Sequence, residues 1–157
     1  MDRYVLSLFS SAGIGELGIK ASGLKILLSN ELIESRCDLY RKNYPETECL
    51  CGDIWHLKDQ IIQRWGGYDV GSPFLIYATP PCQGMSTAGK QKKDDPRNRL
   101  IIYVVQAIKT LNPKFVIIEN VPEILLTKIE IDGKWIKIDE YLKNNLFFYH
   151  NFFYKTL

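Results

Sequence analysis

Apolar and polar residues alternate along the chain in blocks whose lengths suit strands and helices in turn. Five short runs are mainly apolar, which is typical of strands buried on both faces of a parallel sheet: residues 4–9, 25–29, 48–50, 74–78 and 115–118. Four amphipathic stretches lie between them and predict helices: residues 16–22, 33–43, 57–65 and 100–111. This alternation predicts an α/β fold with a doubly wound, mostly parallel sheet and right-handed crossovers.

The last thirty residues or so depart from this rhythm. Alternation on both sides of Asp132-Gly133 predicts a small hairpin over residues 128–138. Asp139 is then expected to N-cap a helix that ends near Leu146, and the aromatic residues of 147–154 predict a final strand. Because no internal repeat or low-complexity linker interrupts the chain, we expect one domain over residues 1–157.

Composition supports a globular domain and leaves the ligand open. The 157 residues are 46% apolar and 12% aromatic, values at which a single core can form. The net charge of +2 is too small to indicate nucleic-acid binding by itself, so any positive surface must be local. No run of 18 apolar residues and no signal-peptide pattern is present, and we expect a cytoplasmic protein.

The four cysteines are few and irregularly spaced, and we expect them to be reduced in that compartment. Cys49, Cys51 and His56 provide three possible zinc ligands. However, C-x-C is not a usual zinc spacing and no fourth ligand lies nearby. Alternation along a strand explains the cysteine pair equally well, so no metal site is predicted.

The first loop indicates a nucleotide-type ligand without saying which one. Gly13, Gly15 and Gly18 form a G-x-G-x-x-G pattern between a strand and a helix, where glycines permit a tight turn and close approach to a ligand. Glu31, after the second strand, can accept hydrogen bonds from ribose hydroxyls. These features suit NAD as well as other adenosine-type cofactors, and a turn without a ligand is a further alternative.

Residues after the fourth and fifth strands decide between these alternatives. The carboxyl ends of parallel strands face a common crevice, so residues 79–86 and 119–122 should also meet the ligand. They include Cys82, which hydride transfer does not require but covalent methyl transfer does.

At this point the chain resembles the C5-cytosine DNA methyltransferases. Residues 81–86 (Pro-Cys-Gln-Gly-Met-Ser) and 119–121 (Glu-Asn-Val) carry the resemblance. Four further segments resemble the family's motifs in the family's order: residues 9–13, 30–31, 52–54 and 95–100. Together they span most of the chain, from about residue 6 to residue 122.

The resemblance implies a Rossmann-like S-adenosylmethionine-dependent methyltransferase fold. Glu31 would bind the ribose hydroxyls and Asp53 the adenine amino group. Ser11 stands where the family usually has glycine, which is expected to narrow the loop or weaken binding; Leu32 stands where some members have an aromatic residue that stacks on adenine, so that stacking is expected to be absent. The implied cofactor residues are Phe9, Ser10, Ser11, Ala12, Gly13, Ile14, Glu31, Leu32, Asp53, Ile54, Pro80 and Leu100.

The resemblance also implies the chemistry. Addition of the Cys82 thiolate to C6 of cytosine makes C5 nucleophilic toward a methyl donor, and Glu119 would share or donate a proton at N3. Asn120 is expected to order the backbone before Cys82. A buried, inert Cys82 and a solvent-exposed Glu119 are the alternatives.

The expected substrate is double-stranded DNA with its cytosine flipped out of the stack. A mobile loop over residues 84–99 is expected to close on the flipped base. Asp94 and Asp95 offset part of the positive charge of this loop, so a plain solvated loop is the alternative. The expected DNA-binding residues are Gln83, Ser86, Lys90, Lys92, Arg97 and Arg99.

Family members continue with a Q-x-R-x-R segment, a target-recognition region and a last cofactor-binding motif, which do not occur in these 157 residues. We therefore expect a partial catalytic domain, a sheet incomplete at its C-terminal end, and weak S-adenosylmethionine binding. A second polypeptide would supply the remainder in a restriction–modification system. A catalytically inactive S-adenosylmethionine-binding fragment or regulatory subunit is the alternative.

Overall fold

The computed structural model describes residues 3–81 and 95–146 with their side chains, and the backbone of residues 152–156. The strands are β1 (Tyr4–Leu8), β2 (Lys25–Glu31), β3 (Glu48–Cys51), β4 (Leu75–Ala78), β5 (Phe115–Asn120), β6 (Lys128–Ile131), β7 (Lys134–Lys137) and β8 (Phe152–Thr156). One sheet of six strands has the order β3-β2-β1-β4-β5-β8, and every neighbouring pair is parallel. A separate antiparallel hairpin is formed by β6 and β7.

Helices cover both faces of this sheet, which confirms the doubly wound α/β fold. The helices are α1 (Glu16–Ala21), α2 (Glu34–Asn43), α3 (Ile54–Gly67), α4 (Ile101–Leu111) and α5 (Ile138–Leu146). Residues of β1 alternate between the faces: Val5 joins the core under α1 and α2, whereas Leu6 and Leu8 join the core under α3, α4 and α5. One 3-10 helix, Pro96–Leu100, precedes α4, and a second, Pro122–Leu125, follows β5.

The predicted hairpin is confirmed, and the helix after it begins earlier than predicted. Asp132 and Gly133 have φ values of 50° and 76°, as a two-residue hairpin turn requires. The amide of Ile138 donates to the carbonyl of Thr127 at 2.9 Å, and α5 starts at Ile138. The predicted N-cap role of Asp139 is therefore wrong: Asp139 lies inside the first turn, where its carboxylate pairs with Lys143 at 2.8 Å.

Two other boundaries differ from the prediction for local reasons. Helix α3 begins at Ile54 because the Asp53 side chain accepts a hydrogen bond from the amide of Trp55 at 2.9 Å and caps the helix. Strand β8 starts later than predicted and lies at the edge of the sheet. Within the part of the chain that the structure describes, no helix is long and apolar enough to cross a membrane.

The strand order places a crevice beside the first strand. The chain builds β1, β2 and β3 toward one side, and β4 then returns to the other side of β1. Loops leaving β1 and β4 therefore diverge at the carboxyl edge of the sheet, which is where open α/β sheets bind their ligands.

Candidate cofactor and catalytic site

Hydrogen bonds from three neighbouring elements fix the loop that follows β1. The amide of Ser10 donates to the carbonyl of Asn30 at 2.9 Å. The hydroxyl of Thr79 donates to the carbonyl of Phe9 at 2.9 Å, and the hydroxyl of Tyr44 donates to the carbonyl of Gly13 at 2.6 Å. The loop backbone is thus held against β2 and against the residues that directly follow β4 and α2, and its conformation is preorganised.

The backbone of this loop is left-handed at three positions. Phe9, Ser11 and Gly13 have φ values of 62°, 51° and 87°, a region that costs free energy for residues other than glycine. At Gly13 a Cβ atom would also lie 2.2 Å from Cε2 of Tyr44, so only glycine fits. Ser11, which stands where glycine is usual, therefore holds a strained φ that glycine would adopt without strain.

The other two glycines of the G-x-G-x-x-G pattern differ in the space around them. A Cβ atom at Gly15 would lie 2.5 Å from the hydroxyl oxygen of Tyr77, whereas nothing lies within 4 Å of one at Gly18. The close approach in this loop is therefore made by Gly13 to Tyr44, which directly follows α2, and by Gly15 to Tyr77 of β4.

Glu31 ends β2 with a buried carboxylate that the backbone already engages. Its two oxygens accept hydrogen bonds from the amides of Ser11 at 2.9 Å and Ile33 at 3.0 Å. Arg36 lies 3.7 Å from the same carboxylate. A carboxylate offers about four acceptor positions, so acceptor capacity remains for a pair of hydroxyl groups.

Asp53 and Asn30 shape the neighbouring turn after β3. The buried amide group of Asn30 donates to the carbonyls of Leu50 and Gly52, each at 3.1 Å. One oxygen of the Asp53 carboxylate accepts from the amide of Trp55, which leaves the other available to a ligand. Asn30 was not assigned a role from the sequence, although an asparagine directly before Glu31 at the end of a strand was a visible signal.

A buried carboxylate beneath the loop was missed entirely. Glu16 is 1% exposed, and it accepts a hydrogen bond from the hydroxyl of Ser7 at 2.5 Å. Burial raises the pKa of Glu16, while hydrogen bonds from Ser7 and Ser10 lower it and the charge of Glu31 raises it further. The available signal was a serine at an interior position of an apolar strand.

Asn120 connects the ends of β5 and β4. It is 4% exposed; its side-chain amide donates to the carbonyl of Pro80 at 2.8 Å, and its side-chain oxygen accepts from the amide of Val121 at 2.8 Å. Pro80 lies two residues before Cys82. Cys82 itself lies outside the described residues, as do Gln83, Ser86, Lys90 and Lys92.

Glu119 lies beside Asn120, half-buried at the end of β5. Tyr77 of β4 lies on the same face of the sheet as Glu119. It pairs in register with Ile117 of β5, and Ile117 and Glu119 share a face because alternate residues of a strand do. Burial raises the pKa of the Tyr77 hydroxyl, and the nearby charges of Glu119 and Glu16 raise it further. Tyr77 therefore lies between the first loop and the end of β5, a position that the sequence did not reveal.

The remaining predicted residues fall at different depths. Ile54, Pro80 and Leu100 are buried in or near the core, whereas Ile14 and Leu32 are 77% and 61% exposed. Arg97 forms an ion pair with Asp95 at 2.6 Å, and Arg99 is exposed.

The alternative of a zinc site gains no support from the side chains. Within residues 3–81 and 95–146, no group of three or more histidine, cysteine, aspartate or glutamate side chains is arranged to hold a metal ion. Cys49 is buried in β3, whereas His56 is exposed on α3.

Comparison with known proteins identifies relatives of this domain. The profile of the family described as C-5 cytosine-specific DNA methylase matches residues 4–151. The type II methyltransferase M1.HgaI of Avibacterium volantium is 45% identical over 88% of this chain and 40% of its own length. M1.HphI of Haemophilus parahaemolyticus is 38% identical over 77% of this chain and 33% of its own length, and M.AquIA of Picosynechococcus is 34% identical over 77% and 49%.

Solved structures agree with these relatives. A protein of an E. coli prophage, described as a DNA modification methyltransferase, superimposes with a TM-score of 0.72 at 26% identity, over 92% of this chain and 38% of its own. A DNMT2 variant of Spodoptera frugiperda superimposes with a TM-score of 0.66 at 24% identity, over 94% and 41%, and so shares the fold. The present chain spans between a third and a half of the length of these relatives.

Proposed function

This chain belongs to the C-5 cytosine-specific DNA methylase family, and on that premise we propose that it carries the cofactor-binding and catalytic part of an enzyme that methylates C5 of cytosine in DNA. The observation that carries this proposal is the bond between Asn120 and Pro80. It fixes the backbone directly before Cys82 and ties it to β5, the strand that carries Glu119 next to Asn120. Nucleophile and acid would thereby be delivered to one crevice from adjacent strands.

The residues around the crevice fit S-adenosylmethionine as the methyl donor. Glu31 retains acceptor capacity for two ribose hydroxyls after binding the amides of Ser11 and Ile33. Asp53 keeps one carboxylate oxygen for the adenine amino group after capping α3. The preorganised backbone of residues 10–14 would hold the methionine end. When bound, the cofactor supplies an electrophilic methyl group.

The proposed chemistry starts at the base. The thiolate of Cys82 adds to C6 of cytosine, and the electron pair moves into the ring so that C5 becomes nucleophilic. Glu119 shares or donates a proton at N3, where negative charge would otherwise collect. After C5 has been methylated, loss of its proton and departure of the Cys82 sulfur restore the aromatic ring.

Asn120 would contribute to this chemistry by positioning the backbone that precedes Cys82. Its two hydrogen bonds use the donor and the acceptor of one amide group, so its orientation is defined. A nucleophile displaced by about 1 Å can lose a hundredfold in rate, and the backbone before Cys82 is where such a displacement would arise.

The substrate proposed is double-stranded DNA with a flipped cytosine. The residues that read its sequence would lie beyond these 157, in the same or a second polypeptide, as in a restriction–modification enzyme. The share of the relatives' length that the chain spans supports this proposal.

The test is transfer of a labelled methyl group from S-adenosylmethionine to mixed-sequence duplex DNA. It is made with this chain alone and with a polypeptide carrying the remaining part of the relatives' length. The expected product is 5-methylcytosine, identified after digestion to nucleosides. If S-adenosylmethionine binds but no combination yields 5-methylcytosine, the catalytic proposal fails and a cofactor-binding fragment or regulatory subunit is left. If NADH binds and S-adenosylmethionine does not, the cofactor assignment fails as well.

A further inference from the structure

The hairpin of β6 and β7 has an inner face in the core and an outer face toward solvent. Ile129 is 1% exposed, and Ile131 and Ile136 pack partly against the core. The hydrogen bond between Ile138 and Thr127 closes its base. The hairpin is therefore fixed to the domain. Its opposite side, termed the outer hairpin face, comprises Lys128, Glu130, Trp135 and Lys137.

Two lysines on the outer hairpin face lie directly opposite each other. Lys128 pairs with Lys137 in the register of the hairpin, which places their Cβ atoms about 5 Å apart. Neither lysine has an ion pair with any residue of the described ranges. Like charges directly opposite destabilise a strand pair, and an anion bound across the two ammonium groups would remove that repulsion.

The position of the outer hairpin face points to the anion. Strand β6 packs against the 3-10 helix Pro96–Leu100, and this helix follows closely on the segment that begins with Cys82. Between helix and hairpin lies a cleft of about 150 Å³ whose lining includes Arg99 and Lys128. The cations thus lie at the same edge of the sheet as the proposed reaction centre.

Acidic residues near the cleft limit what it can bind. Asp95 lines the cleft and is engaged by Arg97. Glu130 is the one acid on the outer hairpin face, and it lies opposite Trp135, not opposite a lysine. Trp135 is 43% exposed. Cations beside an exposed aromatic ring suit a chain of phosphates and sugars, which passes over a surface, better than a single anion held inside a pocket.

We propose that the outer hairpin face, together with Arg99, contacts the phosphate backbone of duplex DNA beside the nucleotide to be methylated. This rests on the proposed function, since DNA is the substrate proposed there. Lys128 and Lys137 each contribute a phosphate contact, and Trp135, in the next cross-strand pair of the same face, packs against a neighbouring sugar. The hairpin adds to affinity without reading sequence, because phosphates are the same at every site.

The test is the salt dependence of DNA affinity for the 157-residue chain. Binding of a mixed-sequence duplex is followed by fluorescence anisotropy between about 50 and 200 mM salt. Each phosphate contact contributes about 0.9 to the slope of log affinity against log salt, so Lys128→Gln/Lys137→Gln should lower that slope by about 1.8. The control is Lys42→Gln/Lys109→Gln, which removes the same charge from the ends of α2 and α4, at the opposite edge of the sheet.

The outcomes separate this inference from the proposed function. The inference is supported if the slope of log affinity against log salt falls in the hairpin variant and not in the control. The unfolding temperature of the DNA-free hairpin variant should be unchanged or higher, because the repulsion between the lysines has been relieved. Equal slopes in both variants, or a hairpin variant that loses stability together with affinity, overturn it and leave the proposed function intact. If the unmodified chain binds no DNA at low salt, this inference is overturned, while the proposed function is still decided by methyl transfer in the presence of the remaining part of the relatives' length.

Discussion

The side-chain amide of Asn120 donates to the carbonyl oxygen of Pro80 across 2.8 Å and thereby joins the ends of two adjacent parallel strands. Because its oxygen is bound by the amide of Val121, the Asn120 side chain has one orientation. This contact places the residue before the proposed nucleophile loop under the control of β5.

Replacement of Asn120 should therefore affect both stability and rate. Asn120→Ala leaves a buried carbonyl without its donor, which costs about 1–3 kcal/mol of unfolding free energy, and we expect methyl transfer to fall on the order of a hundredfold. Asn120→Asp keeps the acceptor for Val121 but loses the donor, so it should lose rate as well. Exposed Asn144→Ala on α5 is the control. Unchanged transfer in Asn120→Asp would remove Asn120 as a positioning residue.

Alanine at each glycine of the first loop should give three different results. Gly13→Ala should be the most destabilising, because it combines a positive φ with a 2.2 Å contact to Tyr44; overpacking alone costs about 1–3 kcal/mol. Gly15→Ala should be intermediate, since the Tyr77 hydroxyl can shift. Gly18→Ala should raise stability by about 0.5–1 kcal/mol in α1. Thermal unfolding measures the series, and equal effects at Gly13 and Gly18 would contradict the loop geometry.

Asp53 should reveal its two roles through two replacements. Asp53→Ala loses the cap of α3, at about 1 kcal/mol of stability, and also the carboxylate proposed for adenine. Asp53→Ser keeps a capping oxygen, so its stability should be near that of the unmodified chain while its affinity for S-adenosylmethionine falls roughly tenfold or more. Calorimetry and thermal unfolding separate the two effects. If Asp53→Ser binds the cofactor normally, Asp53 is only a helix cap.

The buried Glu16 should make stability depend on pH. Burial raises the pKa of Glu16 above its ordinary value of 4.5, so the folded chain holds this proton more tightly than the unfolded chain does. Its contribution to stability is complete below pH 4.5 and is lost as the pH rises through the raised value. Glu16→Gln should therefore gain stability relative to the unmodified chain as the pH rises from about 4.5 toward neutrality. Denaturant unfolding checks this, with exposed Glu140→Gln as the control for net charge. A difference that does not change with pH would contradict the prediction.

Much of the fold could be predicted from the sequence because the strands are short, apolar and buried on both faces. Runs such as residues 74–78 and 115–118 have few alternative structures once helices separate them. Boundaries were less accurate where one side chain decides them, as at Asp53, whose capping bond starts α3 three residues early. The Asp139 cap failed because a backbone bond from Ile138 starts α5 one residue before it.

The site was only partly readable from the sequence. Motif spacing brought Glu31, Asp53 and Asn120 to the carboxyl edge, because parallel strands all end there. Tyr77 and Glu16 could not be found in this way, since their proximity arises from the register between β1, β4 and the loop in three dimensions. Charge counts did not reveal the outer hairpin face either, because acids elsewhere in the chain balance its lysines.

The most direct test of the central proposal is covalent trapping of Cys82. In duplex DNA carrying 5-fluorocytosine, fluorine cannot leave C5 as the proton does, so the enzyme stays attached after methyl transfer. The prediction is an adduct that requires S-adenosylmethionine, survives denaturation, maps to the peptide containing Cys82 and is absent from Cys82→Ser. An adduct on another cysteine, or 5-methylcytosine formed from ordinary DNA by Cys82→Ser at the unmodified rate, would contradict it.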